Sequence, residues 1–412
     1  MSNKGIDEKE EFSAVAEIKN VADKGKSMLS SMGSLQTMPF SLNDIHLVPA
    51  QVFKIPLNIT EEVSTKVIIG PDSKKPLKVS SPIMFSGMSY GAVSRNVRII
   101  LAKVASTLNL GLNAGEDFVL PEEIEIASKN LIVQYSSGIR APEEVLTKSS
   151  AIEIRFGQGA YPGWESLLPA EKVPPEIAEL TNLKKGSDAF SPAHHPDIKN
   201  EGALREKIKW LRELTNGVPI GAKIGCGNVE NDVEILANSG VDFIALDGFG
   251  AGTGATEFFV RENFGIPIIA ALPRADRHLK KIGARNKVSL VAGGGLRTSA
   301  DFAKCLALGA DAVYIGTSAL IAINCQQFRV CHTGRCPTGV TTNDPVLTQR
   351  LNIDEGIRKL TNFIKVSNQE IANICRIVGK DDVKKLGIED LVSMQKDLAE
   401  VTGVKWMNGK NV

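Results

Sequence analysis

Three of the six cysteines in this 412-residue chain fall within "CQQFRVCHTGRC", residues 325 to 336, with the spacing C-x5-C-x4-C. Six cysteines in a chain this long do not make a disulfide scaffold, and in a reducing compartment a tight group of thiols more often serves metal or catalysis. Structural zinc draws ligand pairs two to four residues apart, so the spacing of Cys325, Cys331 and Cys336 fits it poorly even with His332 as a fourth donor. An iron-sulfur cluster fits better. Three close thiolates with no evident fourth favour a three-iron over a four-iron cluster, which normally takes four cysteines. Three unrelated buried thiols remain the alternative.

The segment follows a stretch rich in glycine, "VAGGGLRTSADFAKCLALGADAVYIGTSAL". A strand ends in Gly293, Gly294 and Gly295, a capped helix follows, and the next strand ends in Gly316, Thr317 and Ser318. In an eight-stranded barrel these are the loops after strands seven and eight, a frequent phosphate site. Glycine lets backbone N–H groups approach an anion, and a helix N-terminus adds favourable partial charge. Flavin mononucleotide (FMN) is the commonest large ligand of such a site, though a nucleotide substrate fits equally well. Gln158, in "EIRFGQGAYPG", ends another strand and could hydrogen-bond a planar heterocycle; a plain glycine turn is the competing reading. Lys223 lies inside the apolar strand "PIGAKIG", where an unpaired ammonium is expensive to bury. It is expected to face an anionic ligand, or else to form a structural ion pair with Glu153 or Asp247. "LDGFGAGTGATEFF" lacks GxGxxG spacing and reads as a loop of close approach rather than a dinucleotide fingerprint. The adjacent pair His194 and His195 cannot easily converge on one ion and is expected to make polar loop contacts.

The elements that must position these residues alternate in βα fashion. Strands are expected at 82–87, 131–135, 151–157, 219–225, 242–248, 288–294 and 311–316, with a weaker one near 111–113. After the first strand, Ser94 is set to cap a helix whose Val97, Leu101, Val104 and Leu108 make one buried stripe, with Gly111 able to end it. Thr298 or Ser299 caps a second helix that Gly309 closes. Eight βα units over about 250 residues match a closed (β/α)8 TIM barrel better than a doubly wound sheet. The expected organisation is an N-terminal extension (1–78), a barrel carrying the cysteine segment (79–340), and a helical C-terminal extension packed outside it (341–412).

Lysine plus arginine (48) nearly balances aspartate plus glutamate (47), which argues against a nucleic-acid partner. The start has no apolar signal region, and no later stretch has the roughly 18 uninterrupted apolar residues of a membrane span, so a cytoplasmic protein is expected.

The motifs "GMSYGAVS" (87–94), "LNAGED" (112–117), "GQGAYPG" (157–163), "SPAHHPDI" (191–198), "GTGAT" (252–256), "GGGLRT" (293–298) and "CQQFRVCHTGRCPTGVTTNDP" (325–345) occur in the order found in glutamate synthases. The chain thus resembles their flavin domain. The resemblance implies FMN contacts from Met88, Ser89, Gln158, Lys223, Gly293, Gly294, Gly295, Gly316 and Thr317, and a [3Fe-4S] cluster on Cys325, Cys331 and Cys336. It implies that ammonia adds to 2-oxoglutarate and that the resulting 2-iminoglutarate is reduced to L-glutamate, with Glu116 near the substrate. Where the family usually has lysines that help bind the oxo acid, this chain has Arg155 and Tyr161; Arg155 could still hold a carboxylate in bidentate fashion. The family's "GEGG" loop here reads "GWES" (163–166). A terminal cysteine nucleophile and ferredoxin-type CxxCxxC runs are missing, so a glutaminase-like subunit and an electron donor, ferredoxin or NAD(P)H-linked, are the expected partners. Three rivals remain: a related N-methylglutamate synthase, a nucleotide enzyme like IMP dehydrogenase, and a cluster-bearing scaffold without an oxo-acid site.

Overall fold

Eight short parallel strands close into a barrel: β1 (Ile83–Phe85), β2 (Leu112–Asn113), β3 (Leu131–Tyr135), β4 (Ala151–Arg155), β5 (Ile220–Gly225), β6 (Phe243–Asp247), β7 (Ser289–Gly293) and β8 (Ala312–Ile315). The computed structural model describes residues 8–408 except 117 and 185. The outer ends of both predicted extensions, and the last residue of "LNAGED", therefore lie outside the described residues. Closure comes from β8 pairing with β1, Ile315 opposite Phe85, and from β4 pairing with β5, Arg155 opposite Lys223. All eight stretches read as strands are strands, and the fold is a (β/α)8 barrel. Seven of these segments are buried throughout, and the eighth, β5, is exposed only in part at Gly225. That is the condition of parallel strands covered on both faces, and it is why they appear in sequence as continuous apolar runs.

The covering helices are α1 (Arg95–Leu108), α2 (Pro121–Ala127), α3 (Glu143–Thr147), α4 (Glu201–Leu214), α5 (Val229–Asn238), α6 (Ile268–Lys281), α7 (Ser299–Ala307) and α8 (Thr317–Ile323). Ser94 caps α1 by accepting from the Val97 amide, and Val97, Leu101 and Val104 are buried as the stripe requires. The helix ends earlier than Gly111, because Asn109 adopts the left-handed conformation at φ 51°; asparagine tolerates that region better than other non-glycine residues. Thr298 and Asp301 form a capping box on α7, and Gly309 follows it at φ 112°.

α8 is only two turns long. The outer layer is completed there by α9 (Ile353–Ile377), which packs against α1, α7 and α8 and buries Leu360, Ile364, Ile371 and Cys375 along one face. Gly356 allows this approach: a Cβ there would stand 2.5 Å from Cδ1 of Ile100.

The N-terminal part is equally engaged. After a helix at Glu8–Lys24, Leu29–Ser30 pairs antiparallel with Thr256–Glu257, carrying Met32 across the mouth of the barrel. Further on, Ile45–Leu47 joins Leu391–Ser393 and Lys405–Trp406 in a three-stranded sheet, so an early and a late segment of the chain share one sheet. Among the described residues no helix is long and apolar enough to cross a membrane.

Candidate active site

A cavity opens where the barrel strands end, the face on which barrels of this type place their chemistry. It has about 1400 Å³ of empty space including its open mouth. Its wall includes Ser86, Met88 and Ser89 after β1, Glu116 after β2, Gln158 and Tyr161 after β4, and Lys223 and Asp247 from β5 and β6. Gly294, Gly295, Gly316, Thr317, Cys325 and Cys331 complete the side reached from β7 and β8. Residues distant in sequence are thus gathered because parallel strands all deliver their C-terminal loops to one end.

The glycine-lined edge has a physical reason at each position. Gly294 and Gly295 have φ of 106° and 76°, a region costly for other residues. A Cβ on Gly294 would also lie 2.6 Å from the backbone N and O of Gly248. At Gly316 the missing side chain faces open space, with Ser86 Cβ at 3.9 Å and Met88 Sδ at 4.0 Å the nearest atoms. Thr317 begins α8, whose first amides have no partner within the helix. Among the described residues the buried Ser318 hydroxyl has no hydrogen-bond partner. Gly293 departs from expectation: it is the last residue of β7 and lies outside the cavity wall. Its absent Cβ would face the Asp247 carboxylate at 3.0 Å, so its glycine serves strand packing.

Lys223 is buried, with Nζ 3.4 Å from the Ser86 hydroxyl and 3.6 Å from the Asp247 carboxylate. The Asp247 alternative to an anionic ligand therefore holds in part. Asp247 also accepts from the Gly159 amide at 2.9 Å and so ties the "GQG" turn, and with it Gln158, to Lys223. Glu153 does not meet Lys223. It accepts from the amides of Asn113 and Gln134, each at 2.7 Å, and from the Tyr314 hydroxyl at 3.1 Å, in a polar layer beneath the cavity floor. Burial first, and then the charge of Glu153, push the Tyr314 phenol well above its ordinary range, so it stays a donor.

Glu116, Arg155 and Tyr161 come together. Arg155 Nη1 lies 3.2 Å from the Glu116 carboxylate and its guanidinium sits 5.1 Å from the Tyr161 ring centroid, while the Tyr161 hydroxyl reaches the other Glu116 oxygen at 3.3 Å. Arg155 is therefore turned to the protein's own carboxylate and is absent from the cavity wall, whereas Glu116 and Tyr161 line it. His195 makes the expected polar loop contact: its Nε2 is 2.9 Å from the Arg155 carbonyl, so Nε2 carries the proton, and its ring stacks on Tyr135. Burial first lowers its pKa.

All three cysteines of the segment are free thiols; Cys331 and Cys336 are buried and Cys325 partly so. Burial pushes the Cys325 thiol up. For Cys336 burial also acts upward, but hydrogen bonds from the side chains and amides of Thr338 and Thr341 outweigh it and bring the thiol down to about 7, a value that favours thiolate. His332 is turned away: its amide donates to Ser31 Oγ at 2.8 Å and its ring Nδ1 is 2.6 Å from the same hydroxyl. Among the described residues no group of three or more His, Cys, Asp or Glu side chains is arranged to hold a single metal ion.

Two parts of the wall carried no recognisable signal. Met32 comes from the N-terminal segment, anchored by its amide on the Thr253 carbonyl at 2.8 Å. Leu168 and Lys172 come from the long connection between β4 and α4, in which Ser166–Leu168 pairs with Ala189–Ser191. Lys172 is buried, which brings its ammonium down to about 8 against the opposing pull of Cys331 and Cys336.

A closed (β/α)8 barrel with a glycine-edged, thiol-bordered cavity defines the class. The chain belongs to the glutamate synthase family: the conserved region in glutamate synthase matches residues 13–381. It is 40% identical over 333 residues to the archaeal-type glutamate synthase (NADPH) of Thermotoga neapolitana, a match covering 80% of this chain and 66% of that protein. It is 35% identical over 426 residues to the archaeal glutamate synthase (NADPH) of Methanocaldococcus jannaschii, covering 95% of this chain and 83% of the relative. Among solved structures, a double mutant of flavocytochrome b2 with pyruvate bound superposes with a TM-score of 0.53 at 16% identity, covering 90% of this chain and 80% of that one. That likeness shows a shared barrel fold.

Proposed function

We propose that the protein is a flavin- and iron-sulfur-dependent oxidoreductase that reductively aminates a 2-oxo acid, 2-oxoglutarate giving L-glutamate. The observation that carries this reading is that Cys325 and Cys331 border the same cavity as Lys223, Gln158 and the glycine edge. FMN fits that edge: Gly294, Gly295, Gly316 and Thr317 would hold its phosphate, where a side chain at Gly316 would enter the space, and Met88, Ser89 and Gln158 would meet the ring. Cys325, Cys331 and Cys336 suit a [3Fe-4S] cluster as thiolate donors, a role favoured by the lowered thiol of Cys336 and the adjacent buried Lys172. When bound, FMN supplies a hydride and the cluster single electrons.

The chain's own residues prepare the site. Lys223 holds a buried positive charge at the cavity wall, suited to an anionic ring or substrate. Glu116, kept in place by Arg155 and Tyr161, presents one carboxylate to the cavity and can hold or pass a proton of ammonia or imine. Ammonia and electrons are supplied by partners, a glutaminase-like subunit and a ferredoxin or NAD(P)H-linked donor.

The test is anaerobic purification followed by absorption spectroscopy, iron and sulfide analysis and low-temperature electron paramagnetic resonance (EPR). A yellow-brown protein with about three irons per chain supports the reading. A colourless, iron-free protein overturns it. A second reading, transfer of methylamine onto a glutamate skeleton, is favoured by the uncharged Tyr161 on the cavity wall, where the family usually has a lysine. Flavin reoxidation by 2-oxoglutarate with ammonia, against flavin reduction by N-methylglutamate, separates the two.

A further inference from the structure

We propose that Lys172 is the resident positive charge of the cysteine segment, a positioning residue that fixes the electrostatics of the group held there. This deepens the cluster reading above and rests on it. Lys172 is 1% exposed and ends the turn Ala170–Lys172, which packs against the turn Cys331–Thr333. Its stem runs beside Gly334, where a Cβ would stand 3.3 Å from Lys172 Cγ. Its ammonium donates to the Ala92 carbonyl at 2.8 Å. Its backbone is held as well, since Asn343, just beyond the cysteines, donates to the Lys172 carbonyl at 2.9 Å.

The placement joins the loop after β1 at Ala92, the cavity wall and the cysteine segment. Among the described residues the ammonium makes no ion pair with a carboxylate, and the turn packed against it carries Cys331. A buried ammonium without a compensating charge is expensive. One carbonyl uses one of its three donors and supplies no charge. The arrangement makes sense when the thiols are thiolates ligating an anionic cluster, whose reduced form a nearby cation favours.

The experiment compares the wild-type holoprotein with Lys172→Gln, which keeps a donor for Ala92 but no charge, and Lys172→Arg, which keeps the charge. Iron, sulfide and flavin contents, the melting transition, and the cluster midpoint in an EPR-monitored titration are measured for each. The glutamine variant is expected to keep flavin and the melting transition while its cluster becomes harder to reduce by at least tenfold in the one-electron equilibrium, about 59 mV, or while it loses iron alone. The arginine variant is expected to stay near the wild type. An unchanged midpoint and iron content in the glutamine variant overturns the proposal. So does loss of iron, flavin and fold together in both variants, which would make Lys172 a packing residue. An iron-free wild type is a different result: it removes the cluster reading itself.

Discussion

Arg98–Glu123 and Arg155–Glu116 are two buried arginine–glutamate pairs near this cavity, and they are built differently. Arg98 and Glu123, 1% and 0% exposed, meet through two hydrogen bonds, with Nε to Oε1 at 2.6 Å and Nη2 to Oε2. Two further donors go to the carbonyls of Met88 at 3.2 Å and Phe118 at 3.3 Å, and Glu123 also accepts from the Leu120 amide at 2.9 Å. The pair is a closed circuit that fastens the loop after β1 to the loop after β2. Arg155 Nη1 meets the Glu116 carboxylate at 3.2 Å, and Glu116 borders the cavity. Equal charges thus make a lock in one place and, on the reading proposed above, a working group in the other. The distinction lies in whether one member of the pair borders the cavity.

The largest effect should come from breaking the lock. Glu123→Ala leaves the Arg98 guanidinium buried without its carboxylate, a change that typically costs about 3–5 kcal/mol. Denaturant unfolding should show that loss, and flavin content should fall with it because Met88 is no longer held. If the variant is as stable as the wild type, the pair is not a lock.

Next comes Glu116→Gln, which keeps a polar side chain in place for Tyr161 but removes the cavity-facing charge. Amination should slow by about a hundredfold if the carboxylate handles a proton, while the unfolding midpoint moves far less than in Glu123→Ala. Steady-state rates and denaturant unfolding on the same preparation decide the matter. Equal destabilisation by the two substitutions would erase the contrast.

The same contrast marks what was readable in the sequence. β6 announces itself as "DFIALDG" because a strand buried on both faces is apolar until its terminal glycine, and the edges at Gly294 and Gly316 follow from the loops those strands must deliver. The cysteine segment stands out by count and spacing alone. Arg155 was legible as a charged residue ending a strand, but its direction was not, since its partner Glu116 arrives from another strand only after the barrel closes. Lys172 sits in the proline-rich "LPAEKVPPEI", which has no period to read. Met32 reaches the site through a two-residue antiparallel pairing, too short to leave a pattern. Local periodicity encodes the scaffold; the polar partnerships across it depend on long-range closure.

The smallest expected effect concerns Asp197, whose arrangement lies between lock and working group. It is partly exposed, and takes the Tyr135 hydroxyl at 2.6 Å, Arg140 at 2.7 Å and Lys207 at 2.9 Å, holding the loop that sets His195 under Arg155. Partial burial opposes its ionisation, but Tyr135, Lys207 and Arg140 together bring its carboxyl down to about 2. A carboxyl with a depressed folded pKa contributes stability that is complete above its unfolded value, near 3.9, and that disappears as the pH falls through about 2. Asp197→Asn should therefore lower the melting temperature at pH 7 only slightly, about 1 °C for each kcal/mol lost at this chain length. The gap between variant and wild type should then narrow below pH 4 as the wild-type carboxyl protonates. Melting curves at pH 7, 4 and 3 test this. A gap that stays constant across that range would mean that the Asp197 charge does no stabilising work, and that the loop is held by packing on Tyr135 alone.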